Sequence, residues 1–291
     1  RSPPTAVPRC AFLTTEGLDL DYVYDDLAVA PLAARGWTVE FVPWRSAPDW
    51  SAFDVVVIRS PWDYMRAPED FLAVLDQIEA SPARLENPLA VVRWNAHKGY
   101  LRDLEAAGVP IVPTAWEDGL TADRLAALVA EWGPDGGVVK PTVGAGARDT
   151  FRLRPGDDLA PVLAAFDGRE AMAQPFVRSV VDEGEFSLFT FGGAASHTIL
   201  KTPTPGDFRV QEEFGSRLVL VEPEPALRAL AAAALAAVPS PEPLLYARVD
   251  AVRMPDGGFA IIELELIEPS LYFPFAPGSA ARFADALAAL G

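Results

Sequence analysis

Residues 259–269 read Phe-Ala-Ile-Ile-Glu-Leu-Glu-Leu-Ile-Glu-Pro, and their alternation of acidic and apolar side chains predicts a β-strand. Successive side chains of a β-strand point to opposite faces, so Glu263 and Glu265 share one face, roughly 7 Å apart, while their apolar neighbours cover the other. Residues 245–252 form a second predicted strand, and the turn at 254–258 allows a hairpin. Such a hairpin places Asp250 beside both glutamates.

Two interpretations of this acidic hairpin are open. Three neighbouring carboxylates repel one another unless cations lie among them. Hard oxygen ligands suit Mg²⁺, which usually takes one or two carboxylates and completes its coordination with water and phosphate oxygens. The first interpretation is therefore a magnesium site. The second is a half-exposed hairpin whose acidic face is solvated.

The composition is that of a globular protein with ample core material. The chain has 291 residues, 50% of them hydrophobic, which is enough for two or three packed subdomains. A net charge of -17 argues against nucleic acid and against an anionic membrane surface as partners. Cys10 is the only cysteine, so no intrachain disulfide can form, and we read it as a small buried residue of the first strand. With no run long enough to span a membrane, we expect a cytoplasmic protein.

The N-terminal part alternates between strands and helices. Strands are predicted at 10–14, 38–42 and 55–59, with helices at 22–35 and 68–79. Alternation of this kind predicts a parallel sheet with helices on its faces, and ligands gather at the carboxyl ends of such strands. The segment 59–64 lies at one of these ends.

A second α/β unit follows. A helix is predicted at 98–107, and Thr121 is expected to cap another that runs to about residue 132. Further strands are predicted at 137–141, near 171–174, at 185–191 and at 195–201. Helices at 225–237 and 280–290 flank the acidic hairpin along the sequence.

Lys140 ends a strand and precedes a glycine-rich turn. Its ammonium could reach a phosphate while Gly144 and Gly146 let backbone N–H groups approach the same anion. An ordinary hairpin turn is the alternative. The segment lacks the ending of a P-loop.

Lys201 and Arg209 flank a proline-containing stretch that cannot be helical, so we expect both cations on one stiff loop. In an acidic protein they could bind an anion. Alternatively, they are surface charges paired with Glu212 and Glu213.

Taken in order, these pieces resemble the ATP-grasp ligases, in particular their glutathione synthetase-like branch. The motifs that carry the resemblance are Asn95-x-x-Lys98, Val138-Val139-Lys140-Pro141, Gln174-Pro175-Phe176-Val177, Gly184-Glu185, Lys201, Gly206-Asp207-Phe208-Arg209, Arg248-Val249-Asp250 and Glu263-x-Glu265. The segments 59–64, 206–211 and 263–269 are similar to the group that contains the O-ureido-serine cyclo-ligase of cycloserine biosynthesis.

The resemblance implies an α/β protein of the α+β ATP-grasp type. Residues 1–88 would form a Rossmann-like pre-ATP-grasp domain and residues 89–291 the ATP-grasp domain. A lid subdomain would cover about 112–176, and the C-terminal grasp part would be an antiparallel sheet.

The resemblance also implies ATP and two Mg²⁺ ions as cofactors, with Mn²⁺ as a possible substitute. The nucleotide-binding residues would be Lys98, Lys140, Gly144, Gly146, Gln174, Phe176, Val177 and Glu185. In this set the lysines hold phosphates, the backbone at Phe176 and Val177 binds adenine, and Glu185 takes the ribose hydroxyls. The metal ligands would be Asp250, Glu263 and Glu265; family members often have Asn at the last position.

The implied reaction is that of a carboxylate–amine or cyclising ligase that acts through an acyl phosphate on an amino-acid-like small molecule. Lys201 and Arg209 would neutralise the γ-phosphoryl group, and Arg248 would hold the acyl-phosphate oxygen. The substrate would lie against Arg59, Ser60, Asp63 and Glu268. Two rivals are a ligase that adds amino acids to a peptide or protein terminus and a non-catalytic ATP-binding regulatory module. A homo-oligomer is possible.

Overall fold

The structure, a computed structural model, describes residues 7–18, 22–144 and 149–290. Within those residues the strands form three sheets, each built from a different part of the chain. The mixed α/β class predicted from the sequence is confirmed. The proposed division into domains stays a prediction.

The N-terminal sheet is parallel. Its strands are β1 (Arg9–Thr14), β2 (Thr38–Pro43), β3 (Val55–Ser60) and β4 (Arg84–Glu86), in the order β2-β1-β3-β4. Every residue of β3 is buried, which is typical of a central strand covered on both faces. Helix α1 (Val29–Ala33) packs on one face through Leu32, and helix α2 (Pro68–Glu79) packs on the other through Leu75.

The single helix predicted over 22–35 is wrong. A 3₁₀ turn, Asp25–Ala28, precedes the short α1. Pro31 explains the break, because it has no N–H to bond the carbonyl four residues back and its ring clashes with that carbonyl. A regular helix can therefore begin only near Pro31.

Two short helices, α3 (Leu89–Asn95) and α4 (Tyr100–Ala106), follow the parallel sheet. The predicted helix at 98–107 begins two residues later than expected, so Lys98 lies in the turn between α3 and α4. The Lys98 N–H donates to the Thr142 carbonyl at 2.7 Å, which fixes this turn against the start of the glycine-rich segment.

The central sheet is antiparallel. Its strands are β5 (Ala115–Asp118), β6 (Gly137–Pro141), β7 (Phe151–Leu153) and β8 (Glu170–Pro175), in the order β5-β8-β6-β7. Helices α5 (Ala122–Glu131) and α6 (Ala160–Ala165) pack on it. The predicted cap of α5 is confirmed, because the Thr121 hydroxyl accepts the Arg124 N–H at 3.3 Å.

The third sheet is also antiparallel and carries the acidic hairpin. Its strands are β9 (Glu185–Phe191), β10 (Ala194–Thr202), β11 (Arg217–Leu220), β12 (Tyr246–Arg253) and β13 (Phe259–Glu265), in the order β11-β10-β9-β12-β13. The remaining helices are α7 (Ser179–Asp182), α8 (Pro225–Ala236) and α9 (Ser279–Ala288). Leu227 of α8 packs on one face of the sheet, and Phe283 of α9 packs on the other.

Strand β13 lies at the edge of this sheet, and side chains cover its outer edge. Asn95 donates to the Leu264 carbonyl at 2.8 Å and accepts the Leu266 N–H at 3.0 Å. The Tyr100 hydroxyl accepts the Leu264 N–H at 2.8 Å. Asn95 therefore satisfies the backbone groups on both sides of Glu265 as a neighbouring strand would.

Buried polar contacts join the parallel sheet to the third sheet. The Arg59 guanidinium donates to Asp25 at 3.0 Å and to the Pro269 carbonyl at 2.9 Å. The Tyr246 hydroxyl lies 2.9 Å from the Ile58 carbonyl and 2.7 Å from that of Ile267. These groups tie the end of β3 to the segment that follows β13.

Across the described ranges, no helix has both the length and the apolar character needed to cross a bilayer.

Candidate active site

The acidic hairpin has the register predicted from the sequence. Strands β12 and β13 pair antiparallel, with Asp250 opposite Glu263 and Arg248 opposite Glu265. The ladder is irregular directly after Asp250. The predicted placement of Asp250 beside the glutamates is therefore confirmed.

Each acid of the hairpin has a cationic partner. Lys98 forms an ion pair with Glu263. Arg248 donates to Asp250 at 2.9 Å and also pairs with Glu265. These cationic partners come from two parts of the chain, the α3–α4 turn and β12 itself.

Lys201 belongs to β10 and lies deep in the same network. Its ammonium is 2.5 Å from Glu185 and 3.4 Å from Asp250, and the Ser187 hydroxyl also donates to Asp250. Gly184 permits this close approach, since its φ is +125° and a Cβ there would lie 2.6 Å from the Lys201 carbonyl. The expectation that Lys201 lies on a loop is wrong, because the strand extends to Thr202, just before the first proline.

Lys140 has no ionic partner among the residues that the structure describes. It is 9% exposed, and among the residues described here no carboxylate or carbonyl bonds its ammonium. Burial lowers its pKa, while the nearby Glu263 raises it and Lys98 lowers it further. A buried ammonium without a partner is costly, so the position suits a mobile anion.

Two carboxyl groups of the site hold protons unusually tightly. Removal from water raises the pKa of Glu265 to about 8, with further contributions from Asp250 and Glu263. The same effect raises the pKa of Glu268 to about 7, although the hydrogen bond from Tyr64 at 2.9 Å opposes it. Both groups can therefore change charge near neutral pH.

Asp250 and Glu263 are the ionised acids. Burial opposes their ionisation, but nearby cations lower both pKa values below the ordinary carboxyl value. Arg248 and Lys201 act on Asp250, and Lys98 acts on Glu263.

Two ionised acids of the site suit Mg²⁺. In the described part of the chain, no three acid, histidine or cysteine side chains are grouped so that they could hold a metal ion. Asp250 and Glu263 are ionised hard-oxygen donors directly opposite each other, and Mg²⁺ needs only one or two protein carboxylates when phosphate oxygens complete its shell. The metal role of Asp250, Glu263 and Glu265 stays a prediction.

The glycine-rich segment begins next to this cluster. The Lys98 ammonium donates to the Gly144 carbonyl at 3.0 Å. Gly146 lies outside the described residues, so its predicted contact with phosphate stays a prediction.

The predicted adenine-binding segment follows β8. Gln174 donates to the Thr114 hydroxyl at 2.9 Å. The Phe176 N–H donates to the Gly136 carbonyl at 2.9 Å, and the Val177 carbonyl accepts the Val180 N–H at 3.1 Å. Within the described ranges, the Phe176 carbonyl and the Val177 N–H carry no such bond.

Arg209 lies outside the buried network. It pairs with Asp207 at 2.7 Å, and its guanidinium lies 3.7 Å from the Phe214 ring centroid. The alternative of a pairing with Glu212 and Glu213 named the wrong acids. The contact of Arg209 with the γ-phosphoryl group stays a prediction.

The four predicted substrate residues fall into two groups. Arg59 is fully buried and engaged by Asp25 and the Pro269 carbonyl. Ser60 bonds the Thr14 hydroxyl at 3.2 Å, and Asp63 accepts from Trp44 at 2.7 Å.

Glu268 belongs with the buried cluster instead. Its carboxylate receives the Tyr64 hydroxyl, and it interacts electrostatically with Lys98, Glu263 and Arg248. The substrate roles of all four residues stay predictions.

Sequence reasoning missed several residues of this site. Ser187 is two positions after Glu185 in β9, so strand alternation alone could have placed it on the same face. Tyr272 interacts with Lys201 and Arg248, but its position depends on a backbone turn that no local pattern announces.

Comparisons with known proteins show the family of this chain. Residues 10–87 match the family described as D-cycloserine synthetase DcsG, N-terminal domain. The chain is 37% identical over 310 residues to the cycloserine biosynthesis protein DcsG of Streptomyces lavendulae, covering 95% of this chain and 97% of that protein. This chain belongs to the DcsG family.

Solved structures support the DcsG assignment and the fold. The crystal structure of D-cycloserine synthetase DcsG matches with a TM-score of 0.84 and 36% identity, covering 97% of this chain and 99% of that one. The ATP-grasp ligase PsnB, solved with its minimal precursor, Mg and ADP, matches with a TM-score of 0.66 and 18% identity, covering 96% and 97%. This DcsG-family chain is therefore a ligase with the fold of the ATP-grasp ligases, and not a non-catalytic module.

Proposed function

We propose that this chain uses ATP to convert the carboxyl group of an amino-acid-like small molecule into an acyl phosphate, which a nitrogen then attacks to form a C–N bond. The nitrogen belongs either to the same molecule, which closes a ring, or to a second one. The full-length similarity to D-cycloserine synthetase favours a small molecule.

Lys140 is the observation that carries this proposal. A buried ammonium that no acid of the described ranges pairs with, next to the Lys98–Glu263 pair, is a place for a phosphate group. The chain has only three lysines, and all three, Lys98, Lys140 and Lys201, lie in this one network. A ligase that transfers a phosphoryl group depends mainly on positioning and on such charge neutralisation.

Asp250 and Glu263 would hold Mg²⁺, with Glu265 as a third, protonatable ligand, and the proposed number of ions is two. When bound, the ions would neutralise phosphate oxygens during transfer. Mn²⁺ could replace them, because it accepts the same oxygen donors. Lys98 and Lys201 each pair with a carboxylate in this structure. When the ions neutralise those carboxylates, both ammonium groups would turn toward the phosphates.

The adenine would bind to two backbone groups after β8 that make no hydrogen bond to the described residues. The Phe176 carbonyl would accept from the exocyclic amine, and the Val177 N–H would donate to a ring nitrogen. Gln174 would support this segment from β8, Glu185 would bind the ribose hydroxyls, and Gly144 and Gly146 would approach the phosphates.

The activated carboxyl group would lie at Arg248. Its guanidinium is held rigidly between Asp250 and Glu265, so it is pre-positioned to neutralise a developing oxyanion. Glu268 would face the rest of the substrate, with Ser60 and Asp63 further along the edge of the parallel sheet. Arg59 would act by fixing the backbone at Pro269, and Arg209 would require movement of its loop to reach the γ-phosphoryl group.

A ligase that acts on a peptide or protein terminus is the second candidate. The ligase PsnB binds a precursor peptide, and its fold is shared here. The net charge of -17 disfavours an acidic peptide, so a neutral or basic one would be expected.

A cytoplasmic location and homo-oligomerisation are part of the proposal as well.

The test is incubation of the chain with Mg-ATP and a panel of amino acids, short peptides and O-ureido-serine, with ADP release and product mass read together. Lys140→Ala should abolish substrate-dependent ADP release, and Arg124→Ala, which removes an exposed cation of α5, should not. Ring closure is recognised by a product formed from one substrate molecule, and ligation by a product that combines two. Absence of ADP above background with every substrate would refute the proposal.

A further inference from the structure

Tyr272 has a backbone conformation that bulky residues rarely adopt. Its φ of 49° and ψ of 38° are left-handed, and the residue directly precedes the 3₁₀ turn Phe273–Phe275. Side chains with a Cβ are crowded in this region, and such conformations concentrate at functional sites. The conformation turns the Tyr272 ring from the end of β13 back toward the third sheet.

The ring reaches the centre of the cation network. It packs edge-on against Phe189 at a centroid distance of 6.0 Å, and the Arg248 guanidinium carbon lies 5.8 Å from its centroid. Lys201, Arg248, Asp250 and Glu265 are the charged groups that act on its hydroxyl. Burial raises the pKa of Tyr272, so the phenol keeps its proton and can donate it in a hydrogen bond.

The hydroxyl of Tyr272 differs from those of the other buried tyrosines. Tyr64 donates to Glu268, Tyr100 accepts from the Leu264 N–H, and Tyr246 lies between carbonyls. In the part of the chain that the structure describes, the Tyr272 hydroxyl has no such partner, although the residue is only 4% exposed. The Tyr272 hydroxyl is not one of the buried polar atoms that lack a partner, so it keeps contact with solvent and is free to bond a substrate. Phenylalanine would fill the same packing space without that hydrogen bond.

We propose that the Tyr272 hydroxyl donates a hydrogen bond to the reacting carboxyl oxygen of the substrate, beside Arg248. This inference rests on the proposed ligase function. When the nitrogen attacks the acyl phosphate, the C–N bond forms and the carbonyl electrons move onto oxygen. Tyr272 and Arg248 hold that oxyanion.

Collapse of this intermediate breaks the carbon–oxygen bond to phosphate. The departing phosphate carries away the proton lost from nitrogen. Tyr272 keeps its own proton throughout, so its role is that of a donor and not of an acid. The same hydrogen bond orients the carboxylate earlier, while it attacks the γ-phosphoryl group.

The test is Tyr272→Phe, which removes one oxygen and keeps the ring contacts with Phe189. We expect kcat for substrate-dependent ADP release to fall about 100-fold, as when one oxyanion donor is removed from other enzymes. The KM for ATP and the thermal midpoint should stay at the wild-type values, because the hydroxyl would bond the substrate and not the nucleotide, and it bonds no protein group in the described ranges.

Phe273→Leu is the matched control, since it changes a buried ring next in sequence that carries no hydroxyl. A wild-type kcat in Tyr272→Phe would overturn the inference while leaving the ligase function intact. The thermal midpoint of Tyr272→Phe could instead fall as much as that of Phe273→Leu, with kcat per folded molecule unchanged. That result would show that Tyr272 serves packing alone, and it would also overturn the inference. A wild-type chain that releases no ADP with any substrate would overturn both.

Discussion

Asn95→Ala should destabilise the chain far more than its single small side chain suggests. The substitution removes the two hydrogen bonds that Asn95 itself makes with the outer edge of β13, at 2.8 and 3.0 Å. It leaves the Leu264 carbonyl and the Leu266 N–H without these hydrogen bonds, and both residues are at most 1% exposed. Each buried group left unpaired costs about 1–3 kcal/mol, so we expect a loss of about 3 kcal/mol in the free energy of unfolding.

Urea unfolding followed by tryptophan fluorescence measures this loss, with midpoints compared at a common m value. Arg93→Ala is the matched control on the same helix, because Arg93 and Asp76 form an exposed pair at 2.7 Å and such pairs contribute at most about 1 kcal/mol. Asn95→Ala should also lower turnover, since the strand that presents Glu263 to Lys98 loses its outer support. A destabilisation no larger than that of Arg93→Ala would refute the reasoning.

Three further outcomes are expected. Glu263→Gln should reduce Mg²⁺-dependent ADP release by about 100-fold while leaving the thermal midpoint within a few degrees, and undiminished turnover would remove Glu263 from the metal site. An amine-directed reagent at neutral pH should label Lys140 before Lys98, because burial lowers the pKa of Lys140 whereas Glu263 raises that of Lys98. Mg-ATP should protect Lys140 from the reagent. Peptide mass spectrometry measures the labelling, and equal labelling of Lys140 and Lys98 would contradict the expected difference. The pKa of Glu268 is about 7 in the folded chain and 4.5 ordinarily, so between these pH values the folded chain binds more protons than the unfolded chain. The free energy of unfolding therefore falls as the pH rises from 4.5 to 7. Glu268→Gln should reduce this fall between pH 5 and 7 by about 1 to 2 kcal/mol, and equal slopes in urea titrations would contradict it.

The elements of the fold were largely predictable because their signals are local. Alternation of apolar and acidic residues predicts β13 and its pairing with β12, and β9 has the predicted bounds, Glu185–Phe191. The α2 helix also has its predicted bounds, Pro68–Glu79. The single helix predicted over 22–35 is wrong because Pro31 prevents a regular helix from continuing through it.

The partners of the charged groups were less predictable, since pairing depends on tertiary packing. The sequence separates Lys98 from Glu263 by 165 positions, and no local rule relates them. Arg209 has three acids nearby in sequence, and only the backbone of its loop selects Asp207. Tyr272 reaches the site because its own backbone is left-handed. Glycine or asparagine at this position would have indicated such a conformation in the sequence, whereas tyrosine does not.

The buried contacts of Arg59 and Tyr246 have a consequence for how the chain can be divided. A cut near residue 88 would leave Asp25 and Arg59 on one fragment and both Pro269 and Tyr246 on the other. Each fragment would expose polar groups and apolar surface that the intact chain buries, so neither should be stable when expressed alone. For the same reason the N-terminal sheet is a poor unit for exchange between related ligases, unless the segment after β13 is exchanged with it.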